Sequence, residues 1–590
     1  VPRFDVESCF RAAKTKAGGD MSQAGRLSRS GRRFVIGLLL MPMLFVNPDN
    51  RAQSGLGKNN WPLAHKTGRS AVRSQNGMVA SSQPIASQVG VEILKRGGNA
   101  VDAAIAMAAV LSVTEPMMTG IGGDAFALVY WSKTGELKGL NASGRAPRGL
   151  TLDYFAKKGV TTMPDRGMES ITVPGAFDGW VTLLEKYGTM RLADVLAPAI
   201  EYAVNGFPVM EKAANDWEYG SARLRSPAAV KNYLKDGRPP RAGEIFRQKN
   251  LANTLQILAR GGRDAFYKGE IARAITDYVS KNGGFITMQD LAEHRSDWVE
   301  PVSIDYRGYK VCEIPPNGQG MTALIALNIL EGFDMSAMAS RPDLYYHSLI
   351  EATKLAFADR NRYIADPAFA KVPVQELLSR EYAARRRALI KPDRAIESPV
   401  PGEIGNNTTY LTVVDKDRNA VSFINSLYDV FGSGVVAGDT GIILHNRGNG
   451  FSLDPNHPNR LEPGKRPFHT IIPAMVFKDG RLFMSFGVMG GAVQAQGHVL
   501  VLSGIIDLGL GLQEAIEMPR FRYVSGNNVL MEDAMTEGVI KGLLGRGHRR
   551  ATQTEPINVM GGGQAIMIDP QTGALLGGSD PRKDGIALGY

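Results

Sequence analysis

Residues 406–434, NNTTYLTVVDKDRNAVSFINSLYDVFGSG, constrain the fold more than any other stretch of this chain. Tyr410, Thr412 and Val414 alternate with Leu411 and Val413, which is the period of a β-strand with two distinct faces. A Lys416-Asp417-Arg418-Asn419 turn leads into a second strand over Ala420–Ile424. Just before the first strand stand Asn406, Asn407, Thr408 and Thr409. A threonine pair at a strand start is ordinarily structural, because β-branched residues favour strands. It acquires chemistry only if the bond before Thr408 is cut, since the freed α-amine can then serve as base for the threonine's own hydroxyl.

The net charge of +10 on 590 residues is unevenly placed. Residues 1–75 hold 13 Lys and Arg against 4 Asp and Glu, which leaves the remainder near neutral at +1. The high isoelectric point therefore does not argue for nucleic acid. Arg26, Arg29, Arg32 and Arg33 precede Phe34–Val46, an apolar run interrupted by Pro42. That run is too short for a stable membrane span and suits an export signal over about 21–52. The expected location is periplasmic or secreted, or cytoplasmic if 21–52 is not a signal. Two cysteines, Cys9 and Cys312, give no disulfide framework, and eight scattered histidines form no HExxH zinc motif. Neither a metal nor a cofactor is expected.

From about Asn76 the chain reads as globular. Helices are expected over Pro84–Arg96, Ala100–Thr114, Leu192–Val204, Asn250–Leu258, 494–507 and 511–517, and an amphipathic one over 344–365. Strands are expected over 77–81, 126–131, 474–478, 482–486 and 564–568. Thr119–Ala125, TGIGGDA, follows a helix and precedes a strand, the reverse of a dinucleotide loop, so it reads as a tight turn. Residues 390–407 are rich in Pro, Gly, Asn and charge, the natural place for a cut.

Longer motifs carry a resemblance: 77–106 (GMVASSQPIASQVGVEILKRGGNAVDAAIA), 120–127 (GIGGDAFA), 173–180 (VPGAFDGW), 351–360 (EATKLAFADR), 408–422, 431–444 (FGSGVVAGDTGIIL), 464–467 (GKRP) and 579–585 (SDPRKDG). In this order they resemble the gamma-glutamyltransferase family of N-terminal nucleophile hydrolases. The resemblance implies an α+β fold, the four-layer αββα sandwich, formed jointly by two chains of a self-cleaved precursor. The divisions it implies are a basic extension over 1–75, a large subunit over 76–407 and a small subunit over 408–590. It implies cleavage between Asn407 and Thr408, and Thr408 as nucleophile. Ser426 matches a threonine that hydrogen-bonds the nucleophile, and Gly490 and Gly491 match an oxyanion-hole pair. The expected ligand is a small γ-glutamyl or carboxyacyl amide.

Departures cluster where such enzymes hold the donor's amino-acid end. Typical members carry a segment like NNQMDDFS, with acidic and amide groups for the α-ammonium. Here the segment is HNRGNGFS, with Arg447 and Gly450 at two of those places. A serine pair after KRP is His469-Thr470, and an asparagine two residues after Ser426 is Tyr428. The carboxylate-gripping arginine of an R-E-x-A-P motif is replaced by Ser143, with Arg145 displaced by two. Arg145, Tyr428, Arg447, His469 and Thr470 are thus the candidate substrate contacts. Arg447 either faces the donor, disfavouring an ammonium there, or turns to solvent or an internal acid. The short loop between Phe451 and Lys465 suggests an open site. Two substrate classes follow: γ-glutamyl amides such as glutathione, by hydrolysis or transpeptidation, and acyl amides without the α-amine, of glutaryl-cephalosporin or oxamate type. An inactive anion-binding paralogue is the remote alternative.

Overall fold

The computed structural model describes residues 68–397, 407–552 and 558–590. The chain divides into two units, Val1–Pro48 and Asp49–Tyr590, and every described residue belongs to the second. The expected export segment lies outside the described residues, as does half of the loop before the expected cut, 398–406.

Two seven-stranded sheets form the centre. One runs, edge to edge, through Ile586–Gly589, Met78–Ser81, Asn407–Val414, Ala420–Tyr428, Asp124–Trp131, Glu136–Ala142 and Asp297–Val299. The other runs through Val72–Ser74, Leu575–Ser579, Gly562–Ile568, Arg481–Met489, Ala474–Lys478, Tyr309–Glu313 and Val302–Tyr306. Alternation along the 407–428 hairpin decides the layering. Leu411, Val413, Val421 and Phe423 face one way, into a core with helices Ala100–Thr114, Ala176–Tyr187 and Leu192–Asn205. Tyr410, Val414, Ala420 and Ile424 face the other, meeting Met475, Val476, Met484 and Phe486 of the second sheet. Helices Gly320–Leu330, Pro342–Tyr363 and Val493–Ile506 cover that sheet's far side. The αββα sandwich is therefore present, built from strands buried on both faces.

Both sheets interleave the segments before and after Thr408. Strand Asn407–Val414 lies between Met78–Ser81 and Ala420–Tyr428, and Ala474–Lys478 pairs with Tyr309–Glu313. A chain cut at Thr408 would keep its halves joined by these ladders, because separation would strand buried N–H and C=O groups.

Most expected elements lie within two residues of their observed bounds, and Ala100–Thr114 matches at both ends. Helix Pro342–Tyr363 differs in character. It is not amphipathic: Tyr345 through Phe357 are all buried, including Glu351 and Lys354, which pair at 2.7 Å. The two charges satisfy each other, so a polar-looking face can be enclosed. Short strands occur among the helices between Leu192 and Glu300, among them Asp297–Val299 at a sheet edge. Among the described residues no helix is long and apolar enough to cross a membrane.

Candidate active site

Thr408 sits near the start of its strand, where pairing is irregular. Asn407 opposes Tyr428, whereas Thr409 opposes Asn425, so Ser426 and Leu427 together face Thr408. Such a bulge re-aims a side chain, and here Ser426 Oγ comes within 3.1 Å of Thr408 Oγ1. Ser426 Oγ accepts from the Tyr428 N–H at 2.9 Å and from Arg447 Nη2 at 3.2 Å. With two donors arriving, its own proton is left for an acceptor such as Thr408 Oγ1. Gln494, in the first turn of helix Val493–Ile506, brings its Nε2 to 3.4 Å from Thr408 Oγ1, and its Oε1 is fixed by the Ile472 N–H at 3.0 Å.

Alternation sends the next residue to the other face. Thr409 Oγ1 donates to Glu115 Oε2 at 2.9 Å, and Ser82 Oγ donates to the same oxygen at 2.8 Å. Burial pushes the Glu115 carboxyl up to about 7, against the lowering effect of the Ser82 hydrogen bond and of Lys583. A carboxyl raised from about 4.5 favours folding most when protonated, and that contribution fades as pH rises through about 7. Wild type should therefore lose, relative to Glu115→Gln, about 3 kcal/mol of stability between pH 4.5 and 8. Urea unfolding at several pH values measures the difference. Parallel pH profiles for the two proteins would refute the assignment.

Arg447 points inward. Its side chain is fully buried, with Nη1 on Thr470 Oγ1 at 3.0 Å and the guanidinium 4.3 Å from the Tyr428 ring centre. No carboxylate forms an ion pair with it among the described residues, and its Nε lacks a hydrogen-bond partner. Burial lowers its pKa to about 10, with Asp124 opposing. The side chain thus neither faces solvent nor, among the described residues, pairs with an internal acid; it is held on Ser426 and Thr470. Asp124 lies one residue beyond, across His469 and His445. His469 Nε2 is 2.9 Å and His445 Nδ1 3.4 Å from Asp124 Oδ2. Burial acts to raise the Asp124 pKa, but His445, His469 and Arg447 together hold it below the ordinary carboxylate range. The same burial keeps His469 neutral, its pKa pushed down to about 3.

The TGIGGDA segment is the expected tight turn, and it packs against Ser426. A Cβ on Gly123 would lie 2.4 Å from the Ser426 carbonyl oxygen, and one on Gly122 2.0 Å from that of Ile443. Only glycine permits that approach. Gly490 and Gly491 follow strand Arg481–Met489 at φ 127° and 62°. Neither N–H is a donor in the loop and turn hydrogen bonds of the described residues.

Thr408, Ser426, Tyr428, Arg447 and Thr470 thus form one contact network, with His469 adjoining it. Arg145 does not join them. It is partly exposed and pairs with Asp297 at 3.2 Å, while the buried Arg466 occupies Ser143, with Nη1 3.2 Å from its Oγ, and binds Asp297 at 2.6 Å. The site is also not open in the continuous chain. Thr408 is 2% exposed, its backbone running on into Asn407, which pairs with Tyr428. Loop 451–465 folds on itself, with Leu461 buried against Phe451 and Phe155. Sequence reasoning missed Gln494, Glu115 and Asp124. Gln494, three residues beyond Gly491, and Asp124, inside the glycine turn, were findable as polar residues in otherwise apolar motifs.

One group could ligate a metal among the described residues: His347, Glu351 and His548. It is built as a polar cluster instead. Lys354 Nζ sits 2.7 Å from Glu351 Oε1, and His347 Nδ1 is 2.8 Å from His548 Nε2. A divalent ion there would stand beside the buried Lys354 ammonium, which already takes the Glu351 carboxylate.

A strand-initial threonine at the heart of an αββα sandwich defines an N-terminal nucleophile hydrolase. Comparison with known proteins agrees. A profile described as gamma-glutamyltranspeptidase matches residues 86–590. A glutathione hydrolase-like proenzyme of Bacillus subtilis is 43% identical over 87% of this chain and 98% of its own length. The glutathione hydrolase proenzyme of Escherichia coli is 38% identical over 88% and 93%. The crystal structure of a cephalosporin acylase from Bacillus halodurans superposes with a TM-score of 0.85 at 45% identity, covering 89% of this chain and 98% of that one. The chain belongs to the gamma-glutamyltranspeptidase family, and it is an enzyme of that hydrolase and transferase class.

Proposed function

We propose that the precursor cuts itself between Asn407 and Thr408, and that the freed threonine hydrolyses amides whose acyl group ends in a carboxylate and lacks an α-amine. In the uncut chain the Thr408 nitrogen is an amide and cannot act as a base. Once freed, an α-amine of ordinary pKa about 7.7–8.0 is partly neutral near pH 7 and takes the hydroxyl proton. Thr408 Oγ1 then attacks the amide carbonyl, and the Gly490 and Gly491 N–H groups receive the developing oxyanion. The amine leaves with the proton, and water releases the acyl group by the reverse sequence. Ser426 orients Thr408 throughout. The 407–414 strand stays gripped on both edges, so the two chains are expected to persist as a heterodimer.

The observation that carries the donor class is Arg447, a buried cation without an ion-pair partner on the same hydroxyl, Ser426 Oγ, that holds the nucleophile. The cephalosporin acylase at 45% identity supports this choice. The glutathione hydrolases favour a second reading, γ-glutamyl donors, with hydrolysis or transpeptidation. A panel of γ-glutamyl and glutaryl p-nitroanilides tests the pair. Faster turnover of the glutaryl donor supports the proposal, and faster turnover of the γ-glutamyl donor overturns it. N-terminal sequencing of the small chain should read TTYLTVV. Export rests on residues 21–52 alone, and a mature large chain beginning after residue 52 would support it.

A further inference from the structure

Gln319 stands immediately before helix Gly320–Leu330 and is fully buried. Its Nε2 donates to two carbonyls, Thr470 O at 2.6 Å and Gly491 O at 2.9 Å, and its backbone N–H donates to His469 O at 2.9 Å. One carboxamide therefore ties the loop that touches Arg447 to the turn that carries the glycine pair. The other end of the amide is equally committed. Oε1 accepts from Arg360 Nη1 at 3.1 Å.

Arg360 is 1% exposed and forms no ion pair among the described residues. Its remaining contacts are Asn361 Oδ1, at 3.0 and 2.8 Å, and the rings of Phe357 and Phe468. A flipped Gln319 would put Nε2 against a guanidinium and Oε1 against two carbonyls. Arg360 thus decides which way the carboxamide points. Gly490 and Gly491, at positive φ, have little torsional preference of their own. The turn is held by the Val493 N–H on the Gly490 carbonyl and by the Gln494 N–H and Gln319 on the Gly491 carbonyl, and Gln319 alone of these also donates to the Thr470 carbonyl.

We infer that Gln319 is a positioning residue for the reaction, aligning the Gly490–Gly491 turn with the Thr470 loop, and that Arg360 locks its orientation. This rests on the proposed role of the two glycine N–H groups as oxyanion donors. A misplacement of about 1 Å at such a donor costs on the order of 100-fold in rate.

The test uses the matured full-length enzyme and the better p-nitroanilide donor. Gln319→Met should lower kcat about 10- to 100-fold with KM changed less than threefold. Gln319→Glu should fall at least as far, because a carboxylate would face both carbonyls. That isosteric variant also supplies the measurement if the Met variant does not mature. Arg360→Met should lose less than Gln319→Met. The double variant should be no slower than Gln319→Met alone, since Arg360 acts through Gln319. The inference falls if Gln319→Met keeps kcat within twofold, if its loss lies wholly in KM, or if the two single losses multiply. Gly490→Ala tests the underlying assignment separately. An added Cβ would lie 2.8 Å from the Gly561 Cα, so a loss above about 100-fold is expected. Full activity of a matured Gly490→Ala would overturn the oxyanion assignment. A dead Gly490→Ala beside an active Gln319→Met would overturn the Gln319 inference alone.

Discussion

Thr408→Ala is expected to run as one uncut chain on a denaturing gel and to show no turnover. The side chain removed is small and its hydrogen bond to Ser426 is worth about 1 kcal/mol, so the fold should survive. What is lost is the hydroxyl required both for the cut and for the acyl-enzyme, and activity should drop by at least about 10⁴-fold. Thr408→Ser should still cut, more slowly. Thr409→Ala gives the contrast, because its hydroxyl belongs to Glu115 on the other face of the sheet. It should mature into two chains. If Thr408→Ala still splits, or if Thr409→Ala is the variant that stays whole, the nucleophile is misassigned.

Arg447→Glu should reverse the order of donors. A cation about 6 Å from an ammonium, at an effective dielectric of about 20, costs roughly 3 kcal/mol, and an anion gains as much. Polarisation and side-chain movement reduce this, leaving a shift of about 1–3 kcal/mol in relative kcat/KM toward the γ-glutamyl donor. Arg447→Met should lie between, since it removes the repulsion without adding attraction. It also controls for the burial of a lone glutamate beside Ser426. Equal donor ratios in all three proteins would mean that Arg447 serves only to hold Ser426 and Thr470. The glutathione-type reading would then stand.

The hairpin around Thr408 was legible because strand alternation and turn chemistry are local properties of neighbouring residues. So were the helices capped by Asn99 and led by Pro84, whose signals lie within one turn. The glycine turn at Thr119–Ala125 was readable from the order of helix and strand around it. Helix Pro342–Tyr363 was misjudged in character because Glu351 and Lys354 look like a solvent face until each is known to be the other's partner. The burial of Thr408 in the uncut chain was illegible for a similar reason. Loop length says little about which residues cover a threonine whose neighbours come from distant segments.

Sequence by itself determined the strand headed by the threonine, through short-range periodicity, and the family, through motifs whose order resembles it; the layered fold came with that resemblance. Only the tertiary structure decided where the long side chains point. Arg145 and Arg447 are equally plausible carboxylate ligands as letters, yet one pairs with Asp297 at a sheet edge and the other stands buried on Ser426. Glu115, Asp124 and Gln319 meet the site across separations of 172 to 345 residues or pack beside it through contacts of that range. A guanidinium or a carboxamide reaches several ångströms from its backbone. Its direction is set by whichever charges and carbonyls the fold brings to that spot, and local sequence carries no record of them.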